Sequence, residues 1–209
     1  MGVRLLLLLS SIFALGLAGR PAGEPRTIVF LGDSITAGYG LENPAAEAYP
    51  ALIQEKLSAA GLPYRVVNAG LSGDTTAGGL RRLDWLFRQR VDVLVIALGG
   101  NDGLRGIDPA VTRANLQAII DHARQRQPAI RLVLAGMQMP VNMSREFMQT
   151  FREIFPELAV KNGVVLVPFL LEGVGAVPEL NQPDLIHPTA HGQSVIAATV
   201  WKYLQSALP

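Results

Sequence analysis

The feature that most constrains the fold is a repeated alternation of short apolar runs with longer amphipathic segments after residue 26. Apolar runs at residues 27–31, 64–68, 91–98, 130–135 and 164–167 predict five strands. Segments with helical spacing lie at residues 49–60, 75–90, 108–127, 145–161 and 189–206. The run VDVLVIAL (91–98) is almost continuously apolar, as expected for a strand that helices cover on both faces. The alternation therefore predicts an α/β fold with a doubly wound parallel sheet.

The amino-terminal segment has the pattern of a targeting signal. Arg4 precedes an apolar run over residues 5–18, which is short for a membrane span of about 20 residues. Small residues at the end of this run are typical of a signal-peptidase site, so residues 1–18 are predicted to be a signal peptide. Residues 19–26 would then be a leader before one domain at 27–209. An uncleaved anchor helix is the alternative interpretation of the apolar run.

Composition excludes several classes of protein. The chain has no cysteine, which removes disulfides, thiolate nucleophiles, cysteine-ligated metals and a bacterial lipoprotein anchor. The net charge is +1 and no basic run resembles a nucleic-acid footprint. We therefore predict that the protein binds no nucleic acid. The targeting pattern predicts a periplasmic or secreted protein that keeps no stable membrane insertion after signal cleavage, and we expect a monomer.

Polar and glycine residues follow the first four predicted strands. The segments are GDS (32–34), NAGLSGDT (68–75), GGND (99–102) and GMQMPVN (136–142). In open parallel sheets, ligands bind outside the carboxyl ends of the strands. The four segments are therefore expected to meet at one edge of the sheet and to form a single site.

Ser34 is a candidate nucleophile because one histidine is well placed to serve as its base. A nucleophilic serine needs a base, and the base needs an orienting group. His122 falls inside a predicted helix among arginines and His191 opens the last helix, whereas His187 lies outside regular structure. Asp184 precedes His187 by three residues, so a turn brings the two side chains together. Its carboxylate would hold one imidazole nitrogen and leave the other free as the base.

Acyl transfer also needs donors for the oxyanion that develops on the carbonyl oxygen. The backbone N–H groups of Ser34 and Gly73 and the side-chain amide of Asn101 are candidates at the predicted edge. Each motif taken alone also fits a purely structural role, such as an Asx-turn, a helix cap or a tight turn. Asp33 and Asp74 are expected to fix the loops, and Asp102 belongs either to that scaffold or to a mobile loop.

Taken together, GDSITAG, NAGLSGDTTAGGL, GGNDGLRG and DLIHP resemble the four sequence blocks of the GDSL esterases, or SGNH hydrolases, over residues 27–206. The likeness is strongest to the secreted bacterial thioesterase I/lysophospholipase/arylesterase branch. It implies a flavodoxin-like, three-layer αβα sandwich with a five-stranded parallel sheet, and no metal or other cofactor. It also implies a serine esterase that works through an acyl-enzyme, with Ser34 as nucleophile, His187 as base and Asp184 as its orienter. The oxyanion hole would comprise Ser34, Gly73 and Asn101.

The resemblance leaves the substrate open among aryl esters, short or medium acyl esters, acyl thioesters and lysophospholipids. Residues 103–107 and 137–143 are candidates for the walls of the acyl site. The individual candidates for substrate contact are Gly103, Leu104, Met139, Pro140 and Leu185. Met139 and Pro140 stand where this branch usually has a Leu-Pro pair, and Leu185 stands where a glycine usually follows the catalytic aspartate. Both differences affect the expected acyl preference.

Two alternatives come from other functional classes. One is a secreted binding domain that has kept the fold without the activity. The other is a metal phosphoesterase whose ligands would be Asp33, Asp102, Asp184 and His187. A phosphate-binding P-loop is excluded because no lysine follows the glycine turn, and an α/β-hydrolase elbow is excluded because its closing glycine is absent after Ser34.

Overall fold

The computed structural model describes residues 23–208, so the predicted signal peptide and the first part of the leader lie outside the described residues. The strands are β1 (Arg26–Gly32), β2 (Tyr64–Gly70), β3 (Val93–Ala97), β4 (Arg131–Ala135) and β5 (Val165–Val167). The α-helices of this region are α1 (Ser34–Ala37), α2 (Pro44–Glu47), α3 (Tyr49–Ala59), α4 (Thr76–Arg81), α5 (Leu83–Leu86), α6 (Gly100–Leu104), α7 (Pro109–Arg126), α8 (Arg145–Asn162) and α9 (Ala190–Leu204).

The five strands form one parallel sheet in the order β2-β1-β3-β4-β5. The order reverses direction at β1, because the chain moves first to β2 on one side and then to β3 on the other. At the carboxyl end of β1, Gly32 pairs with Gly70 of β2 and with Ala97 of β3. The loops after these three strands are therefore neighbours, and Ser34 lies at the switch point where such sheets bind ligands.

Helices cover both faces of the sheet and enclose its apolar strands. α3 packs against α9, while α4, α7 and α8 pack against one another in sequence. The central strands β1 and β3 are buried along nearly their whole length. The predicted three-layer α/β architecture is confirmed. None of the helices within residues 23–208 combines the length and apolarity needed to cross a membrane.

The predicted elements agree with the observed ones to within two residues, except for the helix at 75–90. That prediction is wrong, because the segment divides into α4 and α5 around Arg82, whose φ is −99° and ψ is 4°. Gly78 and Gly79 weaken the helix intrinsically. A Cβ at Gly79 would lie 2.3 Å from Leu98 Cδ1, so this helix packs closely on the end of β3. The break places the Arg82 side chain beside the carboxyl edge of the sheet.

Candidate active site

The turn after β1 presents Ser34 at the carboxyl edge of the sheet. The Asp33 carboxylate caps α1 by accepting the Ile35 N–H at 3.0 Å. Thr36 is fully buried, and its hydroxyl pairs with the Tyr49 hydroxyl at 2.8 Å. These contacts anchor both sides of Ser34, whose own side chain stays half-buried and faces the rim.

Ser34 is hydrogen-bonded to the predicted histidine across the rim. Its Oγ lies 3.0 Å from His187 Nε2, and His187 Nδ1 lies 2.6 Å from Asp184 Oδ2. The structure therefore brings the three predicted residues into one continuous chain of hydrogen bonds. This arrangement lets the imidazole accept the serine proton while the carboxylate fixes the tautomer.

The Asp184 carboxylate organises its own turn. Its Oδ1 accepts the N–H groups of Ile186 and His187, each at 2.9 Å. The side-chain hydrogen bond from His187, together with these backbone N–H groups, lowers the pKa of Asp184 to about 2. The residue stays ionised wherever a histidine titrates. Leu185 sits in the left-handed region at φ +58°, so the backbone here has the conformation that a glycine would adopt more easily.

The three predicted donors come from adjacent loops. Gly73 has φ +80° and is exposed, and neither its N–H nor that of Ser34 donates to an acceptor among residues 23–208. One hydrogen of the Asn101 amide is used, because Asn101 Nδ2 donates to the Asp74 carbonyl at 2.9 Å. Arg105 also ties these loops together by donating to the Gly73 carbonyl at 2.9 Å. The remaining amide hydrogen and the two backbone N–H groups are available to an oxyanion.

The carboxylates beside the site belong to the scaffold. The Asp102 carboxylate accepts the Thr76 N–H at 2.9 Å and the Thr76 hydroxyl, and it is 1% exposed. Asp74 pairs with Arg82 at 2.7 Å. Asp33 is buried, and this burial raises its pKa to about 6, although the Ile35 N–H and the nearby His187 act in the opposite direction. Asp102 thus belongs to the buried scaffold.

Two residues near the His187 imidazole were not among the candidates predicted from the sequence. The Tyr39 ring lies against the His187 ring with a centroid distance of 4.7 Å. Gln182 Nε2 donates to the Tyr39 carbonyl at 2.7 Å, so the turn after α1 is joined to the segment that carries Asp184 and His187. Tyr39 stands between two glycines with positive φ, Gly38 and Gly40, and this signal in GYG could have marked a fixed aromatic side chain.

The five candidate substrate residues differ in exposure. Leu104 and Leu185 are 46% and 53% exposed, and Pro140 is also exposed. Gly103 and Met139 are buried against each other, and a Cβ at Gly103 would lie 2.0 Å from Met139 Sδ. Met139 therefore supports the loop after β3 from beneath and does not present an open wall. Other exposed apolar side chains on the rim loops are Tyr39, Leu71, Val141 and Ile186.

The remaining histidines lie outside the hydrogen-bonded chain of Ser34, His187 and Asp184. His122 Nε2 contacts Asp84 at 3.1 Å, and His191 is exposed near the start of α9. Within residues 23–208, no group of three or more His, Cys, Asp or Glu side chains is arranged to hold a metal ion. Of the four ligands considered for a metal phosphoesterase, Asp102 is buried and its carboxylate accepts hydrogen bonds from Thr76 and Thr112.

Comparisons with known proteins all indicate the same family. The sequence model of the GDSL-like lipase/acylhydrolase family matches residues 30–195. Esterase TesA of Pseudomonas aeruginosa is 41% identical over 203 residues, which is 97% of this chain and 98% of that protein. Thioesterase 1/protease 1/lysophospholipase L1 of Escherichia coli strain K12 is 39% identical over 187 residues, covering 88% of this chain and 86% of that protein.

A solved structure supports the same assignment. The crystal structure of a TesA superposes with a TM-score of 0.83 and 40% identity, covering 88% of this chain and all of that one. The motifs, the parallel sheet and these relatives agree with one another. The chain therefore belongs to the GDSL-like lipase/acylhydrolase family and is a carboxylic ester hydrolase, as the sequence predicted.

Proposed function

We propose that Ser34 is the nucleophile of this ester hydrolase, with His187 as general base and Asp184 as the group that orients it. The observation that carries the proposal is the chain of two contacts, 3.0 Å from Ser34 Oγ to His187 Nε2 and 2.6 Å from His187 Nδ1 to Asp184 Oδ2. The pKa of Asp184, lowered to about 2, keeps a negative charge beside the imidazolium that forms during the reaction. A carboxylate in this position stabilises that cation.

The reaction follows from this geometry in two halves. The Ser34 oxygen attacks the carbonyl carbon of the ester while its proton passes to His187 Nε2. The tetrahedral intermediate then expels the alcohol or thiol, which takes the proton from Nε2, and an acyl group remains on the Ser34 oxygen. Water repeats the attack on this acyl-enzyme with His187 as base, and the carboxylic acid leaves as the Ser34 proton returns.

Negative charge on the carbonyl oxygen is stabilised by the N–H groups of Ser34 and Gly73 and by the Asn101 amide. The support is that these donors belong to loops that follow adjacent strands, and that they retain hydrogens not engaged by residues 23–208. Fixed donors stabilise this charge without the reorganisation that water would need. They act on the transition state more than on the bound ester.

The substrates are small-molecule esters or thioesters with a short or medium acyl chain. The exposed apolar side chains on the loops at this edge of the sheet, including Tyr39, Leu104 and Leu185, support an apolar acyl or aryl group in the substrate. The names of the relatives reported above include an esterase and a thioesterase/lysophospholipase. Pro140 is the exposed member of the remaining candidates, whereas the buried Gly103 and Met139 act from beneath by supporting the loop after β3.

The mature protein, residues 19–209, is a monomer with a leader at 19–26 and one enzyme domain at 27–209, and it lies in the periplasm or outside the cell without stable membrane insertion. The support is the signal-like pattern of residues 1–18 and the bacterial origin of the relatives. Amino-terminal sequencing of the protein secreted from a bacterial host tests cleavage after residue 18. Retention of the full chain in the membrane fraction would favour the uncleaved anchor.

Hydrolysis of p-nitrophenyl butyrate tests the serine mechanism against the two alternatives. We expect activity in the wild type that survives excess EDTA and is lost in Ser34→Ala. Hydrolysis of p-nitrophenyl phosphate that is lost in EDTA and kept in Ser34→Ala would support a metal phosphoesterase, and no activity of the wild type on either ester would support a binding domain. A panel that varies acyl length, and then aryl, alkyl, thiol and lysophospholipid leaving groups, would define the substrate.

A further inference from the structure

The Arg82 guanidinium contacts the polypeptide at three points around the proposed site. Its Nε donates to Asp74 Oδ2 at 2.7 Å, one terminal nitrogen donates to the Ala69 carbonyl at 2.6 Å, and the other donates to the Gly32 carbonyl at 3.0 Å. The side chains of Arg82 and Asp74 are 21% and 7% exposed. The contacts are therefore largely shielded from water, where charge-assisted hydrogen bonds are strong.

Two of the three contacts lie beside a proposed oxyanion donor. Gly32 is two residues before Ser34, and Asp74 directly follows Gly73. The Asp74 carbonyl in turn accepts the Asn101 amide at 2.9 Å. One guanidinium therefore fixes the relative position of the loop that carries the nucleophile, the loop that carries the Gly73 N–H and, through Asp74, the Asn101 side chain.

The local backbone explains why an arginine performs this task. The Gly32 and Ala69 carbonyls both lie at the carboxyl end of the ladder between β1 and β2, so a single side chain placed there can reach both. The helix interruption at Arg82 directs the side chain towards the sheet edge. A guanidinium offers five donors in a planar fork, whereas a lysine ammonium is a point charge on a flexible chain.

We propose that Arg82 is a positioning residue that sets the geometry of the oxyanion hole. It touches no substrate atom and acts through Gly32, Ala69 and Asp74. This inference rests on the proposed function, because it requires Ser34, Gly73 and Asn101 to be the oxyanion donors. A small displacement of such donors weakens stabilisation of the transition state and leaves binding of the neutral ester nearly unchanged.

The test compares Arg82→Met and Arg82→Lys with Arg81→Met. Arg81 is the adjacent, exposed arginine at the end of α4 and serves as a matched control. For Arg82→Met we expect kcat per folded molecule to fall by about 10²-fold with KM nearly unchanged, since a misplacement of about 1 Å has an effect of this size. Arg82→Lys should recover part of the loss, and Arg81→Met should stay within about twofold of the wild type, as surface substitutions usually do.

Inhibition by butylboronic acid separates positioning from mere stabilisation of the fold. The boron accepts the Ser34 oxygen, the serine proton moves to His187, and the tetrahedral adduct imitates the intermediate. Positioning predicts that the Ki of the boronate rises in Arg82→Met by the same factor by which kcat/KM falls. A folded Arg82→Met with wild-type kcat, or with a raised KM and an unchanged Ki, would overturn the proposal.

Circular dichroism and a thermal melt establish the folded fraction of each variant. If Arg82→Met does not fold, Arg82→Lys decides: a lowered kcat with a parallel rise in Ki supports the proposal, and wild-type values for both overturn it. Full activity of Ser34→Ala would overturn the proposed nucleophile and this inference with it. If only the proposal for Arg82 is wrong, the Arg82 variants will have wild-type kinetics while Ser34→Ala is inactive.

Discussion

The two halves of the proposed site are built in different ways. The loops after β1, β2 and β3 are joined to one another through buried polar side chains, since Asp33, Asp74 and Asp102 are 3%, 9% and 1% exposed. The segment that carries Asp184 and His187 lies at the surface, and the Asp184 carboxylate organises it by local hydrogen bonds. This segment contacts the nucleophile side through the hydrogen bond between Ser34 and His187, the Tyr39 ring and the bond from Gln182 to the Tyr39 carbonyl.

The difference corresponds to two chemical tasks. Donors that stabilise an oxyanion work best when they are fixed before charge appears, so their loops are fastened to the core. A general base must exchange protons with a leaving group and with water, so it needs an open position. Substitutions in the half that carries the donors should therefore reduce kcat through geometry or charge, whereas substitutions in the half that carries the base should remove proton transfer with little effect on the fold.

The largest effect is expected from His187→Ala. Members of a nucleophilic triad act as a unit, so kcat should fall by about 10⁴- to 10⁶-fold, as for Ser34→Ala, and the double variant should be no worse. Steady-state hydrolysis of p-nitrophenyl butyrate measures this loss. His191→Ala is the matched control on the adjacent helix and should retain wild-type kcat. Loss of activity in His191→Ala with activity kept in His187→Ala would reverse the assignment of the base.

The next largest effect is expected from Asp184→Asn, in which kcat should fall by about 10⁴-fold because an amide favours the wrong imidazole tautomer. The fold should persist, since Asp184 is exposed and contacts only its own turn. The ionised Asp184 should add no step to the pH–rate profile of the wild type near neutral pH, because its pKa is about 2. A pH–rate profile for both proteins tests this, and a loss below tenfold would contradict the orienting role.

Asn101→Ala should reduce kcat by about 10²- to 10³-fold with little change in KM, since removal of one oxyanion donor has this effect. The variant also loses the bond to the Asp74 carbonyl, so Asn101→Asp, which can neither donate to that carbonyl nor stabilise an anion, should be at least as impaired. Measuring kcat and KM separately checks the prediction. A raised KM at unchanged kcat would make Asn101 a residue that binds the ground state.

Asp33→Asn should make stability less dependent on pH. Burial raises the pKa of Asp33 from 3.8 to about 6, so between these values the folded protein holds a proton that the unfolded chain releases. Stability is therefore lost as pH rises through this window, by about 3 kcal/mol at most, and the loss is fully present above it. Relative to the wild type, the free energy of unfolding of Asp33→Asn should be higher at pH 8 than at pH 4 by up to that amount.

Urea unfolding at the two pH values measures this difference, with Asp121→Asn at an exposed site of α7 as the control. The comparison cancels any constant cost of placing an amide in the buried position, because that cost is the same at both pH values. A difference between variant and wild type that does not depend on pH would contradict a raised pKa for Asp33.

The sequence was sufficient for the strands, the order of the motifs and the residues that could do chemistry. Strands such as 91–98 are apolar at nearly every position, and one local spacing linked Asp184 to His187. It was not sufficient for contacts between distant segments. The helix break at Arg82, the burial of Met139 beneath Gly103 and the contact between Tyr39 and His187 all depend on how separate loops pack, which no local periodicity encodes.

The most direct test of the account is to find which serine is reactive when both halves are intact. The wild-type protein is incubated with a fluorophosphonate, digested, and analysed by mass spectrometry. The account predicts one modified residue, Ser34, with no label in Ser34→Ala and strongly slowed labelling in His187→Ala. Labelling of Ser72 or Ser144 with Ser34 unmodified would contradict it.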